Sequence, residues 1–292
     1  MRKLRTIENE RLLVTVDDHG AEIVSIIDKQ NNRECVWTGD ASWWKRHTPV
    51  LFPIVGSIWH NTMRVNGVEY NMTQHGFARD MDFECVAEEA DSLLYSLKSN
   101  EDTKAKYPFD FELQIRQQLD GNKVVTAWKV VNCGDVVLPF QIGGHPAFMV
   151  PDVSEEYDTT GTIRLSGSGD YELTEIGAEG CVKAESVSLK GNEFPIKRDT
   201  FAKNALIFES PCPQIIELFD RSGKKVLTFD SPSPSLGIWA PTKDVHAPFV
   251  CIEPWWGRTD RVGYEGEFKD KEYMNLVAVG ESLSGAWSVQ FE

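Results

Sequence analysis

Hydrophobic and polar residues alternate with a period of two along much of the chain. Phe111, Leu113 and Ile115 alternate with polar residues, which is typical of a β-strand with one buried face. Further short runs of strand type lie at residues 21–27, 93–97, 249–253 and 286–291. Helical periodicity is almost absent, so the pattern predicts a protein built mainly from strands.

Turn sequences between these runs predict β-hairpins. Asn66-Gly67 and Asp120-Gly121-Asn122 each separate two apolar runs, and glycine and asparagine tolerate the positive φ that tight hairpin turns require. A third hairpin is predicted around residues 220–223, and one capped helical turn is predicted at residues 100–105. The sequence shows no βαβ rhythm and no repeat. We therefore expect an all-β fold, one large antiparallel β-sandwich domain spanning residues 1–292.

Charge and cysteine spacing exclude several classes of protein. The 292 residues carry a net charge of −15, which argues against nucleic-acid or anionic-membrane partners because like charges repel phosphates. Six cysteines are scattered without a C-x-x-C pair, so neither a zinc ribbon nor a disulfide framework is indicated. The first residues lack the apolar core of a signal peptide, and no apolar stretch approaches the roughly 20 residues of a membrane span. These features predict a cytoplasmic protein.

Three segments differ from ordinary strand or turn sequence. They are QHGFARD at residues 74–80, GGHPAF at residues 143–148 and CIEPWWG at residues 251–257. Each places an ionisable residue beside glycine, proline or aromatic residues, which allow close approach of the backbone to a ligand or hold the preceding residue extended. These segments are the candidates for a functional site.

The ionisable residues of these segments also admit structural interpretations. His75 or His145 taken alone could be a hydrogen-bonded core histidine. Glu253 follows an apolar run and precedes two tryptophans, so we expect it to be at least partly buried. A buried carboxylate must be hydrogen-bonded or have a raised pKa, as a general base does. The tryptophans near Glu253, and Trp239, could be core residues or could stack on a sugar ring.

Several motifs in order along the chain resemble those of the aldose 1-epimerase (galactose mutarotase-like) superfamily, and within it the branch that contains LacX-type proteins. They run from TPVLFPIVG at residues 48–56 through HGFAR at 75–79, YPFDFEL at 107–113 and GGHPAF at 143–148. They continue through NALIF at 204–208 and end in CIEPWWG at 251–257. The resemblance covers nearly the whole chain.

This resemblance implies a fold, a reaction and roles for individual residues. The fold would be a large antiparallel β-supersandwich with a sugar in a cleft, and the reaction would interconvert α and β anomers of an aldose without a cofactor or a metal. Glu253 would remove the proton of the anomeric hydroxyl, and His145 would protonate the ring oxygen. His75 would hold the sugar near that oxygen. The expected partner is a small-molecule sugar.

Other residues bear on the identity of the sugar. Arg79 resembles a substrate-contacting arginine of the hexose-phosphate branch, although a salt bridge with Asp80 or Asp82 is an equal alternative, and Arg46 is a weaker candidate. Two positions depart from the family pattern. Ser57 stands where related sequences often have arginine, and Asn204 aligns with a sugar-binding aspartate. These departures affect the expected substrate more than the acid–base pair.

Three other functions remain open on the sequence. A hexose-6-phosphate 1-epimerase would need two or three cations around the phosphate, which Arg46, Arg79 and Arg258 could supply. A catalytically silent sugar-binding or regulatory protein could keep the same fold. A metalloenzyme could use His75, His145 and Glu253 as a two-histidine, one-carboxylate ligand set.

Overall fold

The structure, a computed structural model, describes residues 3–167 and 169–292. It contains 25 strands and one helical turn, α1 (Glu101–Lys104). The strands, numbered in chain order, are β1 Leu4–Glu8, β2 Leu12–Asp17, β3 Glu22–Asp28, β4 Arg33–Glu34, β5 Val50–Leu51, β6 Thr62–Val65, β7 Val68–Asn71, β8 Glu84–Glu88, β9 Ser92–Lys98, β10 Phe111–Asp120, β11 Lys123–Asn132, β12 Leu138–Phe140, β13 Ile142–Gly144, β14 Ala147–Met149, β15 Thr159–Leu165, β16 Tyr171–Ile176, β17 Val182–Leu189, β18 Glu193–Lys197, β19 Leu206–Phe208, β20 Ile215–Asp220, β21 Lys225–Asp230, β22 Ser235–Trp239, β23 Phe249–Trp256, β24 Asn275–Val277 and β25 Ser282–Phe291. Short 3-10 segments lie at Trp59–Asn61, Ala78–Asp80, Ala178–Gly180 and Phe268–Asp270.

Two large antiparallel sheets make up most of the molecule. The nine-stranded sheet has the order β18-β15-β20-β21-β25-β11-β10-β9-β8. The eight-stranded sheet has the order β17-β16-β19-β22-β23-β13-β5, and β14 pairs with β23. A four-stranded sheet, β1-β2-β3-β4, and the pairs β6-β7 and β12-β24 complete the fold. The expected all-β, antiparallel architecture is confirmed.

Aromatic side chains join the inner faces of the two large sheets. Trp128 of β11 contacts Trp256 of β23 with ring centroids 5.2 Å apart, and Phe229 of β21 contacts Phe148 of β14 at 6.0 Å. The alternation along β10 buries Phe111 and the other apolar positions while the intervening polar residues stay accessible. Burial of this apolar surface is the main favourable term in folding.

Local turn chemistry behaves as the sequence predicts. Asn66 and Gly67 adopt φ of 52° and 76° between β6 and β7, as a tight hairpin turn with two positive φ values requires. Gly121 and Asn122 join β10 to β11, and the predicted hairpin β20-β21 also forms. Asn100 caps α1 by accepting a hydrogen bond from the Thr103 N–H, while the Thr103 side chain accepts one from the Asn100 N–H. This reciprocal pair is a capping box.

Candidate active site

Strands of the eight-stranded sheet bring Glu253 and His145 together. Glu253 lies in the middle of β23, paired with Gly237 of β22. His145 directly follows β13, and its backbone N–H donates to the Pro49 carbonyl at 3.0 Å. The Nε2 atom of His145 lies 3.2 Å from Oε2 of Glu253, and the two side chains are only 9% and 2% exposed. The segments GGHPAF and CIEPWWG therefore form one buried imidazole–carboxylate pair.

Burial disfavours the charged form of both groups. Burial, together with the positive charges of Arg79 and Arg46, lowers the pKa of His145 to about 3. Burial also raises the pKa of Glu253 well above its ordinary range. The shared proton can lie on Glu253, which leaves both groups neutral, or on His145, which makes an ion pair. The pair therefore holds one exchangeable proton at every pH between the binding of a second proton in acid and the loss of the last proton in base.

His75 lies beside this pair in a loop with left-handed backbone conformation. Its φ is 67°, and Gly76, which follows at 70°, leaves no room for a side chain because a Cβ there would lie 2.2 Å from the Phe52 carbonyl oxygen. The His75 and His145 rings meet edge to face with centroids 5.5 Å apart.

Gly56 fixes both the backbone and the ring of His75. The His75 N–H donates to the Gly56 carbonyl at 2.8 Å, and the Gly56 N–H donates to Nδ1 of His75 at 3.1 Å. Since Nδ1 accepts a hydrogen bond, the proton of the neutral ring lies on Nε2. Burial, with the nearby His145 and arginine charges, holds the pKa of His75 well below 6.5. His75 is therefore a neutral donor.

Tryptophans enclose His145 on two sides. Trp44 stacks on the His145 ring with centroids 4.7 Å apart and planes inclined by 30°. Trp239 presents an edge-to-face contact at 5.9 Å. Trp239 is a predicted site residue, whereas sequence reasoning missed Trp44. The signal available was a tryptophan pair, Trp43-Trp44, in an otherwise polar segment.

A cavity of about 420 Å³ lies over these residues. Of the residues predicted from the sequence, His75, Arg79, His145, Asn204, Trp239 and Glu253 line it. Unpredicted lining residues include Trp44, Gln74, Phe201, Thr242 and Thr259. The volume suits a ligand of monosaccharide size, and its walls combine aromatic faces with hydrogen-bonding groups.

Two arginines lie near the cavity with different roles. Arg79 lines it and donates from Nη2 to the Gln74 carbonyl at 2.7 Å, and burial lowers its pKa to about 10. Its predicted salt bridge with Asp80 is long, 3.8 Å. Arg46 does not line the cavity and instead donates to Asp80 at 2.9 Å. Asp82 contacts His19 rather than Arg79.

The structure does not bring Arg258 to the cavity. Arg258 is 3% exposed and its guanidinium pairs with Glu209 at 3.1 Å and with Glu272. The structure therefore does not gather the three arginines that could surround a phosphate, because Arg46 and Arg258 pair with carboxylates and do not line the cavity.

The two positions that depart from the family pattern lie in different surroundings. Ser57 is buried, and its backbone N–H and carbonyl bond to Thr259. Asn204 lies at the exposed cavity wall with φ of 96°, and its side-chain oxygen accepts from the Ala205 N–H at 2.9 Å. Because this hydrogen bond uses only the side-chain oxygen of Asn204, the side-chain NH₂ group can still donate to a ligand.

Among the described residues, one group of three could approach a metal ion: the ligand atoms of His145, Cys251 and Glu253 lie within 4.8 Å of one another. His75 is not part of it, which differs from the predicted ligand set. Burial raises the pKa of the Cys251 thiol well above its usual range, and the thiol form is a poor metal ligand.

Across residues 3–167 and 169–292 we find no helix with the length and apolar character needed to cross a bilayer.

Comparison with known proteins agrees with this architecture. The family model for aldose 1-epimerase matches residues 3–277. The chain is 27% identical over 293 residues to the plasmid-encoded protein LacX of Lactococcus lactis subsp. lactis, covering 93% of each. A galactose mutarotase related enzyme from Lactobacillus acidophilus superposes with a TM-score of 0.92 at 30% identity, covering 99% of this chain and 97% of the other. A galactose mutarotase-like protein from Lactobacillus casei superposes with a TM-score of 0.91 at 27% sequence identity, covering 99% of this chain and 100% of the other. The chain has the galactose mutarotase-like fold and belongs to the aldose 1-epimerase family.

Proposed function

We propose that this protein is an aldose 1-epimerase that opens and recloses the ring of a free aldose, with Glu253 and His145 as the acid–base pair. The observation that carries the proposal is the 3.2 Å contact between His145 and Glu253 at the base of a cavity of sugar size. Two proton-transfer groups that share one proton in a water-poor site match the demands of hemiacetal opening.

The proton balance of the reaction closes on this pair. The step starts when the shared proton lies on His145. The Glu253 carboxylate then removes the proton of the anomeric hydroxyl while His145 donates its proton to the ring oxygen, so the C1–O5 bond breaks and an aldehyde forms. The pair then holds its proton on the carboxyl group, next to a neutral imidazole. After rotation about the C1–C2 bond, the reverse transfers close the ring on the opposite face. No redox partner is consumed.

His75 and the aromatic walls support this reaction. The neutral His75 ring has its proton on Nε2, and a donor in the cavity can hold the ring oxygen while negative charge develops there. Trp44 and Trp239 flank His145, so they keep water from the imidazole and offer apolar faces to the C–H groups of a sugar.

The charges around the cavity favour a neutral sugar over a sugar phosphate. Among the described residues that line the cavity, Arg79 is the one permanent cation. A phosphate dianion is normally held by several cationic groups with bidentate contacts, and Arg46 and Arg258 are engaged by carboxylates. We therefore expect Arg79 to contact a hydroxyl of the sugar.

Polarimetry tests the proposal. Freshly dissolved α-glucose and α-galactose are followed with and without enzyme, and their 6-phosphates are followed by NMR. The proposal predicts anomer equilibration well above the spontaneous rate, with free sugars preferred. Faster equilibration of the phosphates alone would replace the free-sugar assignment by a hexose-6-phosphate 1-epimerase. Sugar binding by folded protein without acceleration would indicate a silent binding protein.

A further inference from the structure

Thr259 holds the backbone on which His75 depends. Its Oγ1 accepts from the Ser57 N–H at 3.0 Å and lies 2.7 Å from the Gly180 carbonyl oxygen and 2.9 Å from that of Ser57. A hydroxyl has one proton to donate and two lone pairs to accept with, so these contacts use its donor and one of its acceptor sites. The hydroxyl is therefore committed to protein backbone, although the residue lines the cavity.

Gly56 lies between Thr259 and His75. A Cβ on Gly56 would lie 2.4 Å from Cβ of Thr259, so the two residues are in direct backbone-to-side-chain packing. The neighbouring N–H, that of Gly56 itself, is the donor to Nδ1 of His75. Displacing the backbone at Ser57 would therefore rotate the adjacent Gly56 amide away from the imidazole.

The residue after Thr259 reinforces this attachment. The Asp260 N–H donates to the Ser57 carbonyl at 2.9 Å, and its carboxylate accepts from the Trp59 N–H at 3.0 Å. The same carboxylate pairs with the buried ammonium of Lys271 at 2.6 Å. Because Asp260 anchors the chain on its own, loss of the Thr259 hydroxyl should loosen the Gly56–Ser57 amides without unfolding the loop.

We propose that Thr259 is a positioning residue that, through Ser57 and Gly56, fixes His75 as the tautomer with its proton on Nε2. The inference deepens the proposed function, since that tautomer is the one that can donate to the sugar. With the Gly56 amide displaced, Nδ1 loses its donor and the proton is free to redistribute between the two ring nitrogens. A donor in the cavity would then be present for only part of the time.

The experiment compares the wild type with Thr259→Val and Thr259→Ser. Valine keeps the shape but removes the hydroxyl, and serine keeps the hydroxyl. Nitrogen-15 NMR of the imidazole rings reports the tautomer directly, and His75→Asn assigns the His75 signals. We expect the Nε2–H tautomer in wild type and Thr259→Ser, and a mixture in Thr259→Val. Turnover (kcat) should fall about tenfold in Thr259→Val with KM little changed, and serine should restore most of it.

Thr242→Val is the matched control, because Thr242 lines the same cavity but no hydrogen bond of its side chain to residues 56–57 is present among the described residues. It should leave the His75 tautomer as in wild type. An unchanged tautomer and kcat in Thr259→Val would overturn the inference. So would a rise in KM alone, which would show a direct sugar contact. A wild-type His75 with its proton on Nδ1 would overturn it without any variant. The NMR readout needs no substrate, so absence of epimerase activity would count against the proposed function and not against this inference.

Discussion

Acid should destabilise the folded protein through His75, and His75→Asn is the substitution that isolates this effect. Asparagine is among the residues that best tolerate positive φ, and His75 adopts φ of 67°. The asparagine Oδ1 can replace Nδ1 as acceptor for the Gly56 N–H, but it cannot bind a proton near neutral pH. The variant therefore removes the titration of residue 75 while keeping its local contact.

The size of the effect follows from the direction of the pKa shift. Burial and the charges of His145, Arg79 and Arg46 hold the pKa of His75 well below 6.5 in the folded state. The unfolded chain regains the ordinary pKa and binds a proton that the folded chain does not. The stability contributed by neutral His75 is thus complete above pH 6.5 and is lost as the pH falls below it, by about 1.4 kcal/mol per pH unit. If the folded chain binds no proton at His75 down to pH 5, the loss between pH 7 and pH 5 amounts to about 2 kcal/mol.

Urea unfolding at pH 7 and pH 5 measures this quantity. The free energy of unfolding should fall between the two pH values by about 2 kcal/mol less in His75→Asn than in the wild type. Comparing the two proteins cancels other titrations, including that of Glu253, whose raised pKa acts in the opposite direction. His60→Asn is the control, since His60 also has positive φ but is 55% exposed in its side chain. If wild type and His75→Asn lost the same stability on acidification, the folded protein would not lower the pKa of His75.

Three further predictions concern catalysis. His145→Asn should lower kcat by roughly 10²–10⁴-fold, the usual contribution of a positioned acid–base group, and a turnover assay on the folded variant checks this. Arg79→Ala should raise KM more than it lowers kcat, because the guanidinium lines the cavity and, among the described residues, no hydrogen bond or ion pair joins it to His145 or Glu253. A fall in kcat as large as the rise in KM would contradict a binding role. The rate should show no loss centred at the ordinary imidazole pKa of 6.5, since burial lowers the pKa of His145 to about 3 and a second proton enters the pair only in more acid solution. A pH–rate profile with its acid limb at 6.5 would disprove this.

Local chemistry made much of the fold predictable. The turn at Asn66-Gly67 and the capping box at Asn100 depend on residues adjacent in sequence, and alternation along β10 depends on a single strand. The order of the nine-stranded sheet was not predictable in this way. It pairs β11 with β25, and such long-range pairing depends on how whole faces pack.

In the candidate site too, features set by neighbouring residues were predictable from the sequence, and contacts between distant residues were not. His75, His145 and Glu253 could be singled out because each stands beside glycine, proline or tryptophan in an unusual segment. For Trp44 the sequence offers only a tryptophan pair in a polar segment, and its contact with His145 joins residues far apart in sequence. Thr259 bonds to Ser57 across 202 residues, and nothing in its own segment indicates that contact. Arg258 shows the converse: from the sequence it could supply a cation to a phosphate, but its buried guanidinium pairs with Glu209 and Glu272.

Glu253 is proposed to take the proton from the anomeric hydroxyl, and anomer exchange measured in wild type and in Glu253→Gln tests this role. Glutamine keeps the shape of the side chain and removes its basicity. Glu265→Gln, the same change at an exposed position, is the control. With spontaneous exchange subtracted, we predict that the wild type and Glu265→Gln accelerate exchange of the preferred sugar and that Glu253→Gln, still folded and still binding sugar, does not. Undiminished exchange in Glu253→Gln would contradict the account.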